Sequence, residues 1–176
     1  KDESVNFVRE NYQQIEVICL EENYGFTGGY NRALKQIKAK YYCLLNTDVE
    51  VTENWIEPII NLMEGDEKIA VCQPKLLSYT EKNKFEYAGA AGGFIDYLGY
   101  PFCAGRIFDT IEEDKGQYNE IQEIFWASGA AFFIRSELYH QFGGLDENYF
   151  AHFEEIDLCW RLKNEGYKIY CNPNSI

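Results

Sequence analysis

The chain has 176 residues, 46% of them hydrophobic and 16% aromatic, enough to bury a core as one globular domain without a disulfide framework or a structural metal. Its 16 basic and 29 acidic residues give a formal charge of -13, which repels a polyphosphate backbone and excludes nucleic acid as an expected partner. No apolar run approaches the roughly 18 residues of a membrane span, and the start KDESVNFVREN lacks a signal-peptide pattern, so these residues are expected to be soluble.

In chain order, VNFVRENYQQ reads as a helix and IEVICL as a short buried strand. FTGGYNRALKQIKAK is a second helix entered through glycines, YYCLLN a second buried strand, ENWIEPIINLMEG a third helix and KIAVCQPKLL a third strand. Continuous apolar runs alternating with helical patterns predict an α/β three-layer sandwich around a mostly parallel central sheet, with YYCLLN as a central strand. Residues 81–120 break the rhythm. AGAAGG, CAGR and EEDKGQYNE read as a long Gly-rich loop, and its aromatics Phe94, Tyr97, Tyr100 and Phe102 suit a mobile flap over a sugar. IFWASGAAFFI returns to strand, SELYHQFGG is a short helix ended by glycine, HFEEIDLCWRLKNEG is a helix stopped at Gly166, and YKIYC closes as a strand.

Cys19, Cys43, Cys72, Cys103, Cys159 and Cys171 form no C-x-x-C pair. The first three sit in apolar runs and read as small core residues, and reduced thiols in a cytosolic setting are expected. The chain has no initiator Met and ends at NPNSI, which reads as a piece of something longer.

Ligands of open α/β sheets gather beyond the carboxyl ends of the strands. Asn46, Thr47 and Asp48 follow YYCLL there, where a carboxylate holds magnesium or manganese if phosphates and water complete the shell, or simply caps the next helix. ENYGFTGGYNRA places Asn23, Gly25, Gly28, Gly29, Asn31 and Arg32 between a strand and a helix. Its glycines let a ligand approach the backbone, and Asn31 or Arg32 suits a base or phosphate; a plain strand-to-helix turn explains the same residues. The segment matches neither G-x-G-x-x-G nor a P-loop.

In HFEEIDLCWRLKNEG the helical period puts Ile156, Leu158, Cys159, Trp160 and Leu162 on one apolar arc, with Glu154, Asp157, Arg161 and Asn164 opposite. Glu155 falls on the apolar arc, either as a cap or as a desolvated acid–base group whose pKa burial raises. Asp157 and Arg161, four apart, also suit an ordinary surface pair. Trp126, Ser128 and Gly129 in WASGA leave room for a ligand beside an aromatic ring, or pack in the core. His140 and His152 stand alone, without zinc-ligand spacing.

In this order, ENYGFTGGYNRAL, YYCLLNTDVEV, FWASGAAFFIRSELYHQFGGLDENYF and HFEEIDLCWRL followed by GYKIY resemble glycosyltransferase family 2, inverting enzymes of the GT-A fold, and especially its bacterial rhamnosyltransferase-like branch. The resemblance implies a nucleotide-diphosphate sugar donor, UDP- or dTDP-linked, a divalent metal (magnesium or manganese), and a glycan or lipid-linked acceptor. It further implies a part in bacterial cell-surface polysaccharide synthesis, in the cytoplasm or at the cytoplasmic face of the membrane. Asp48 matches the metal ligand and Asn46 stands where many relatives carry a first Asp. Glu155 matches the catalytic base, with Glu154 as the alternative. Trp126, Ser128 and Gly129 match the strand lining the donor and acceptor pocket, and Arg161 a basic position near the diphosphate. Asn23, Gly25, Gly29, Asn31 and Asp157 complete the implied binding set. The nucleotide-sugar side then spans about residues 1–80, the loop about 81–120 and the acceptor and base side about 121–176. Relatives open with an apolar strand before the first residue here, so a sheet lacking its first strand, and a homodimer through the open edge, are expected. Two other readings compete: a sugar-binding module or pseudoenzyme of the same fold, and a sugar-phosphate nucleotidyltransferase, the latter disfavoured by the lack of a basic triphosphate loop.

Overall fold

The computed structural model describes residues 3–149 and 152–176. Helix α1 (Ser4–Asn11) buries none of its residues and leads into α2 (Gly25–Leu34), β1 (Tyr41–Leu45), α3 (Ile56–Gly65) and β2 (Ile69–Pro74). Four short strands follow, β3 (Gly93–Ile95), β4 (Pro101–Cys103), β5 (Arg106–Ile107) and β6 (Thr110–Ile111). The chain ends through β7 (Gln122–Ile124), β8 (Ala131–Arg135), α4 (Ser136–Gln141), α5 (Glu154–Asn164) and β9 (Lys168–Asn172).

The main sheet has the order β1-β8-β2-β9-β7. β1, β2 and β9 run one way, while β8 and β7 run the other. Its central strands β8 and β2 read as apolar runs because both faces are covered, and every residue of β2 is buried. Phe132 and Ile134 point to one face, where Leu34 of α2, Leu138 of α4 and Leu158 and Leu162 of α5 meet them. Phe133 points to the other, against Ile59 and Met63 of α3. The alternation along β8 builds the three expected α/β layers.

Several expectations are corrected. YYCLL is not central: β1 lies at the end of the sheet and pairs only with β8 among the described residues. IEVICL takes no strand pairing, and Ile15 and Cys19 are exposed, because an apolar run becomes a strand only where a neighbour offers its backbone. Cys43, too, is exposed rather than in the core.

The expected loop of residues 81–120 is corrected as well. It carries a four-stranded antiparallel sheet, β3-β4-β5-β6, around Phe85, Ala90 and Ala91. Its strands of two or three residues are too short to show a period of two. Its glycines serve close packing: a Cβ on Gly105 would lie 2.7 Å from the Phe85 ring, and one on Gly93 would lie 2.0 Å from the Trp126 ring. Gln73, fully buried at the end of β2, ties this small sheet to the main one. Its amide nitrogen donates to Gly89 O (3.2 Å), and its carbonyl accepts from Ser128 N (2.8 Å). Lys75 adds a buried ion pair to Asp114 at 2.7 Å.

All six cysteines are free thiols, and no described helix is long and apolar enough to cross a membrane.

Candidate active site

The main-chain ladder between β1 and β8 runs one residue past the strand, with Asn46 N donating to Ala130 O (3.0 Å). The chain then turns, Val49 N donating to Asn46 O, which leaves the side chains of Asn46 and Asp48 at the carboxyl end of β1. Neither side chain has a hydrogen-bond or ion-pair partner among the described residues. Both line a cavity of about 600 Å³ bounded by residues 46–52, the end of β2 and residues 76–88.

Helix α5 reaches the same end of the sheet. Lys163 Nζ donates to Ile124 O (3.1 Å), and Cys159, one turn back, meets the backbone of Ala127. Glu155 lies a further turn back, in the first turn of the helix. The helix is entered through His152 and Phe153, both at φ 71°, a left-handed conformation that non-glycine residues adopt rarely. Glu154 is only 6% exposed, and Oε2 of both Glu154 and Glu155 is buried without a partner. Burial pushes the Glu155 carboxyl up to about 7; the neighbouring Glu154 adds to the rise and Glu155's own backbone N–H opposes it.

The helical wheel therefore placed Glu155 well but not Glu154, which is buried rather than on an exposed polar side. Trp160, expected on the apolar arc, is 44% exposed, its ring edge-on to Phe125. The wheel gives angles between residues, while the contacts of the first turn decide which side is covered.

The other predicted residues separate into groups. Ser128 and Gly129 lie beside the Asn46 end: Ser128 Oγ donates to Ala88 O (2.7 Å), and a Cβ on Gly129 would meet only Phe26, at 3.7 Å. Trp126 is a core residue, 8% exposed, with Nε1 donating to Phe94 O (2.8 Å). Asn23 caps the start of α2, its Oδ1 accepting from Gly25 N at 3.0 Å, and Gly25 supplies φ +69°. Gly29 faces open space, whereas Gly28 is tight, a Cβ there lying 2.9 Å from Arg32 Nη1.

Asn31, Asp157 and Arg161 gather around a second hollow at residues 142–147. Asn31 donates to Leu145 O (2.7 Å) and Glu147 Oε1 (3.3 Å) and accepts from Tyr139 OH (2.7 Å) and Leu145 N (3.1 Å). All four hydrogen-bonding positions of its amide are used by the protein. Arg161 donates to Asp157 (2.6 Å), to Gly144 O (2.9 Å) and to Phe142 O, clamping this loop to α5.

A sequence model of the family described as "Glycosyl transferase family 2" matches residues 1–143. The chain belongs to glycosyl transferase family 2. Among curated relatives it is 21% identical to a low-salt glycan biosynthesis hexosyltransferase of Haloferax volcanii, over 90% of this chain and 50% of that protein. It is 24% identical to a rhamnosyltransferase of Escherichia coli, over 85% of this chain and 58% of that protein. To an N-acetylglucosaminyl-diphospho-decaprenol L-rhamnosyltransferase of Mycobacterium tuberculosis it is 32% identical, over 43% of this chain and 24% of that protein. The chain thus spans little more than half of these relatives at most. Its fold is similar to that of GalNAc-T7, solved with UDP, GalNAc and Mn2+, at a TM-score of 0.73 and 15% identity over 99% of this chain and 33% of that one. The family 2 chain therefore has the GT-A fold.

The residues at the end of β1 fit the divalent cation that such a fold implies. Asp48 offers an exposed, unpaired carboxylate and Asn46 an unpaired amide, and one carboxylate suffices for magnesium or manganese when substrate phosphates and water supply the other oxygens. No cluster of three or more His, Cys, Asp or Glu forms among the described residues. Sequence reasoning missed Gln73 and Lys75, although two polar residues within and just after a buried strand were a visible signal.

Proposed function

We propose that this family 2 chain forms part of the catalytic domain of an inverting glycosyltransferase, moving a sugar from a UDP- or dTDP-linked donor to a hydroxyl of a glycan or lipid-linked acceptor. Two observations support this reading: an unpaired carboxylate, Asp48, just past the end of β1, and a desolvated carboxyl, Glu155, in the first turn of α5. In this reading Glu155 takes the proton of the acceptor hydroxyl as its oxygen bonds to the anomeric carbon. The bond from that carbon to the diphosphate breaks on the opposite face, inverting the configuration. A pKa near the working pH suits Glu155 to both accepting and releasing a proton. Gly129, whose missing side chain leaves room just before β8, suits a bound sugar. Asp48, with Asn46, would hold the cation, which when bound neutralises charge on the leaving diphosphate. A role in bacterial surface-polysaccharide synthesis at the cytoplasmic face of the membrane agrees with the rhamnosyltransferase relatives. The unpaired outer edge of β1 suits a further strand or a second copy.

The test is donor binding and turnover by the full-length protein across UDP- and dTDP-sugars, with and without manganese. Asp48→Ala should abolish the metal-dependent part of donor binding and Asn46→Ala should reduce it less, with products of inverted anomeric configuration by NMR. Equal donor affinity with and without metal in wild type and Asp48→Ala alike would refute the role of Asp48. Donor binding without transfer to any acceptor would favour a binding module.

A further inference from the structure

We propose that Glu154 and Glu155 work as a coupled carboxyl pair holding a single proton, with Glu154 as a positioning residue whose charge strengthens Glu155 as the base. The proposal rests on the glycosyltransferase reading above and adds to it a role for Glu154.

Along α5, Glu154, Leu158 and Leu162 stand one turn apart, and Glu155 stands one turn before Cys159. Leu158, Cys159 and Leu162 are fully buried in the main core cluster, so the two carboxyls continue its covered side to the start of the helix. Oε2 of Glu154 and Oε2 of Glu155 are the only buried side-chain nitrogens or oxygens without a hydrogen-bond partner among the described residues. A buried polar atom left unpaired is costly, and packing alone has no use for two of them on adjacent residues.

The charged and titratable groups around α5 are committed elsewhere. Lys163 Nζ donates to Glu123 Oε1 (2.8 Å) and Ile124 O (3.1 Å), and Arg161 donates to Asp157 Oδ2 (2.6 Å). Arg32 of α2 pairs with Glu147 at 3.0 Å. On α4, Tyr139 donates to Asn31 (2.7 Å), and His140 bonds Tyr42 of β1 (2.8 Å). Burial pushes the thiols of Cys159 and of Cys171 on β9 up to about 12, so both stay neutral. Among the described residues, Glu154 is the one charged side chain that acts on Glu155.

Two carboxylates in one desolvated place repel each other, so a proton taken up by one is held by the charge of the other. In the transfer step the acceptor O–H proton passes to Glu155. The acceptor oxygen bonds to the anomeric carbon as the bond from that carbon to the diphosphate breaks. Glu154 exchanges no proton with the substrate; its charge lowers the energy of the protonated Glu155 that the step creates.

The test is a carbon-13 NMR titration of the side-chain carboxyls in the full-length, ligand-free protein, run beside the pH profile of sugar transfer. Loss of one signal in Glu155→Gln identifies Glu155. In wild type that signal should still be mostly protonated at about pH 6; an ionised signal there would overturn the proposal. Glu154→Gln keeps the size of the side chain without its charge, and should lower the proton affinity of Glu155 by about three- to tenfold. Glu154→Leu, apolar and similar in size, repeats the test by a second route, and Glu154→Asp, which keeps the charge, should keep the wild-type midpoint. In Glu154→Gln the rising limb of kcat should move to lower pH by the same factor. Its plateau should fall by less than that factor, with KM for both substrates unchanged. A Glu154 that only packs would alter unfolding and leave Glu155 titrating as in wild type, which overturns the proposal. Transfer whose rising limb does not move overturns the proposal and keeps the enzymatic reading. A Glu155 signal that responds to Glu154→Gln, with no transfer from any UDP- or dTDP-sugar, supports the carboxyl pair and overturns the enzymatic reading instead.

Discussion

Glu155 is held in an environment that favours its neutral form. Burial raises its carboxyl from 4.5 to about 7, so between those values the folded protein binds a proton that the unfolded chain does not. Stability should therefore fall as pH rises from about 4.5 to about 7. Glu155→Gln should flatten that slope in denaturant titrations at several pH values, and a slope unchanged by the substitution would remove burial as its cause. As the base, Glu155 works only when deprotonated, so wild-type turnover should climb through a pH of about 7. Glu155→Gln should lower turnover by about 10²–10⁴-fold while sparing donor binding, with Glu154→Gln milder; equal activity of the two variants would move the role elsewhere. Asn31 carries a different kind of prediction. Its partners Leu145 and Tyr139 lie more than 100 residues away, at separations of 114 and 108, so no local pattern announced them. Asn31→Ala should cost about 1–3 kcal/mol of stability by stranding buried polar groups. A neutral result in urea unfolding would mean that water replaces the amide.

At the scale of elements, the small β3-β4-β5-β6 sheet is joined to the main one by polar ties and tight glycine contacts. Burial alone would raise the Asp114 carboxyl, but the hydrogen bond from Lys75 and that from Gly116 N outweigh it and hold it below the usual range. Its contribution is present above the ordinary pKa of Asp and lost as pH falls through the lower, folded value. Lys75→Met leaves the half-buried carboxylate without its cation, and should destabilise the protein by about 3–5 kcal/mol, whereas adding Asp114→Leu should recover most of the loss. Failure of the double variant to recover would show that Lys75 packs rather than pairs. Gly93→Ala tests the other joint. Its Cβ would sit 2.0 Å from the Trp126 ring, so the backbone has to move, at a cost of about 1–3 kcal/mol in thermal or chemical unfolding. These joints were illegible beforehand because glycine in a loop-like composition signals a turn as readily as a close approach.

For the molecule as a whole, residues 81–120 divide into a packed base and two protruding tips. Phe85, Ala90 and Ala91 are buried, while Tyr97 is 93% exposed and Phe108 89% exposed at the tips of the two hairpins. Amide hydrogen exchange should therefore be slow at Phe85, Ala91 and Ala104, whose N–H groups bond within the small sheet, and fast at Tyr97 and Phe108. Uniformly fast exchange across residues 84–106 would restore the mobile-flap expectation. With a nucleotide-sugar donor and manganese, added protection should fall on residues 46–52 and at the start of α5, both of which reach the site.

The linear order of residues by itself determined the layered α/β class and the existence of the helices, because unbroken apolar runs and 3.6-residue periods are written within a few neighbouring positions; it did not fix where they end, since α2, read to Lys40, stops at Leu34. It also marked Asp48 and Glu155, since a carboxylate after a buried strand and one on an apolar helical arc are local anomalies. The tertiary structure alone decided that β8 runs antiparallel between β1 and β2, that β1 is an edge, and that residues 81–120 fold. It alone parted Asn31, Asp157 and Arg161 from Asp48, took Trp126 into the core and buried Glu154 beside Glu155. Each of these outcomes depends on which surfaces meet across long stretches of chain, and hydrogen bonds and packing between distant residues leave no periodic trace in the sequence of either partner.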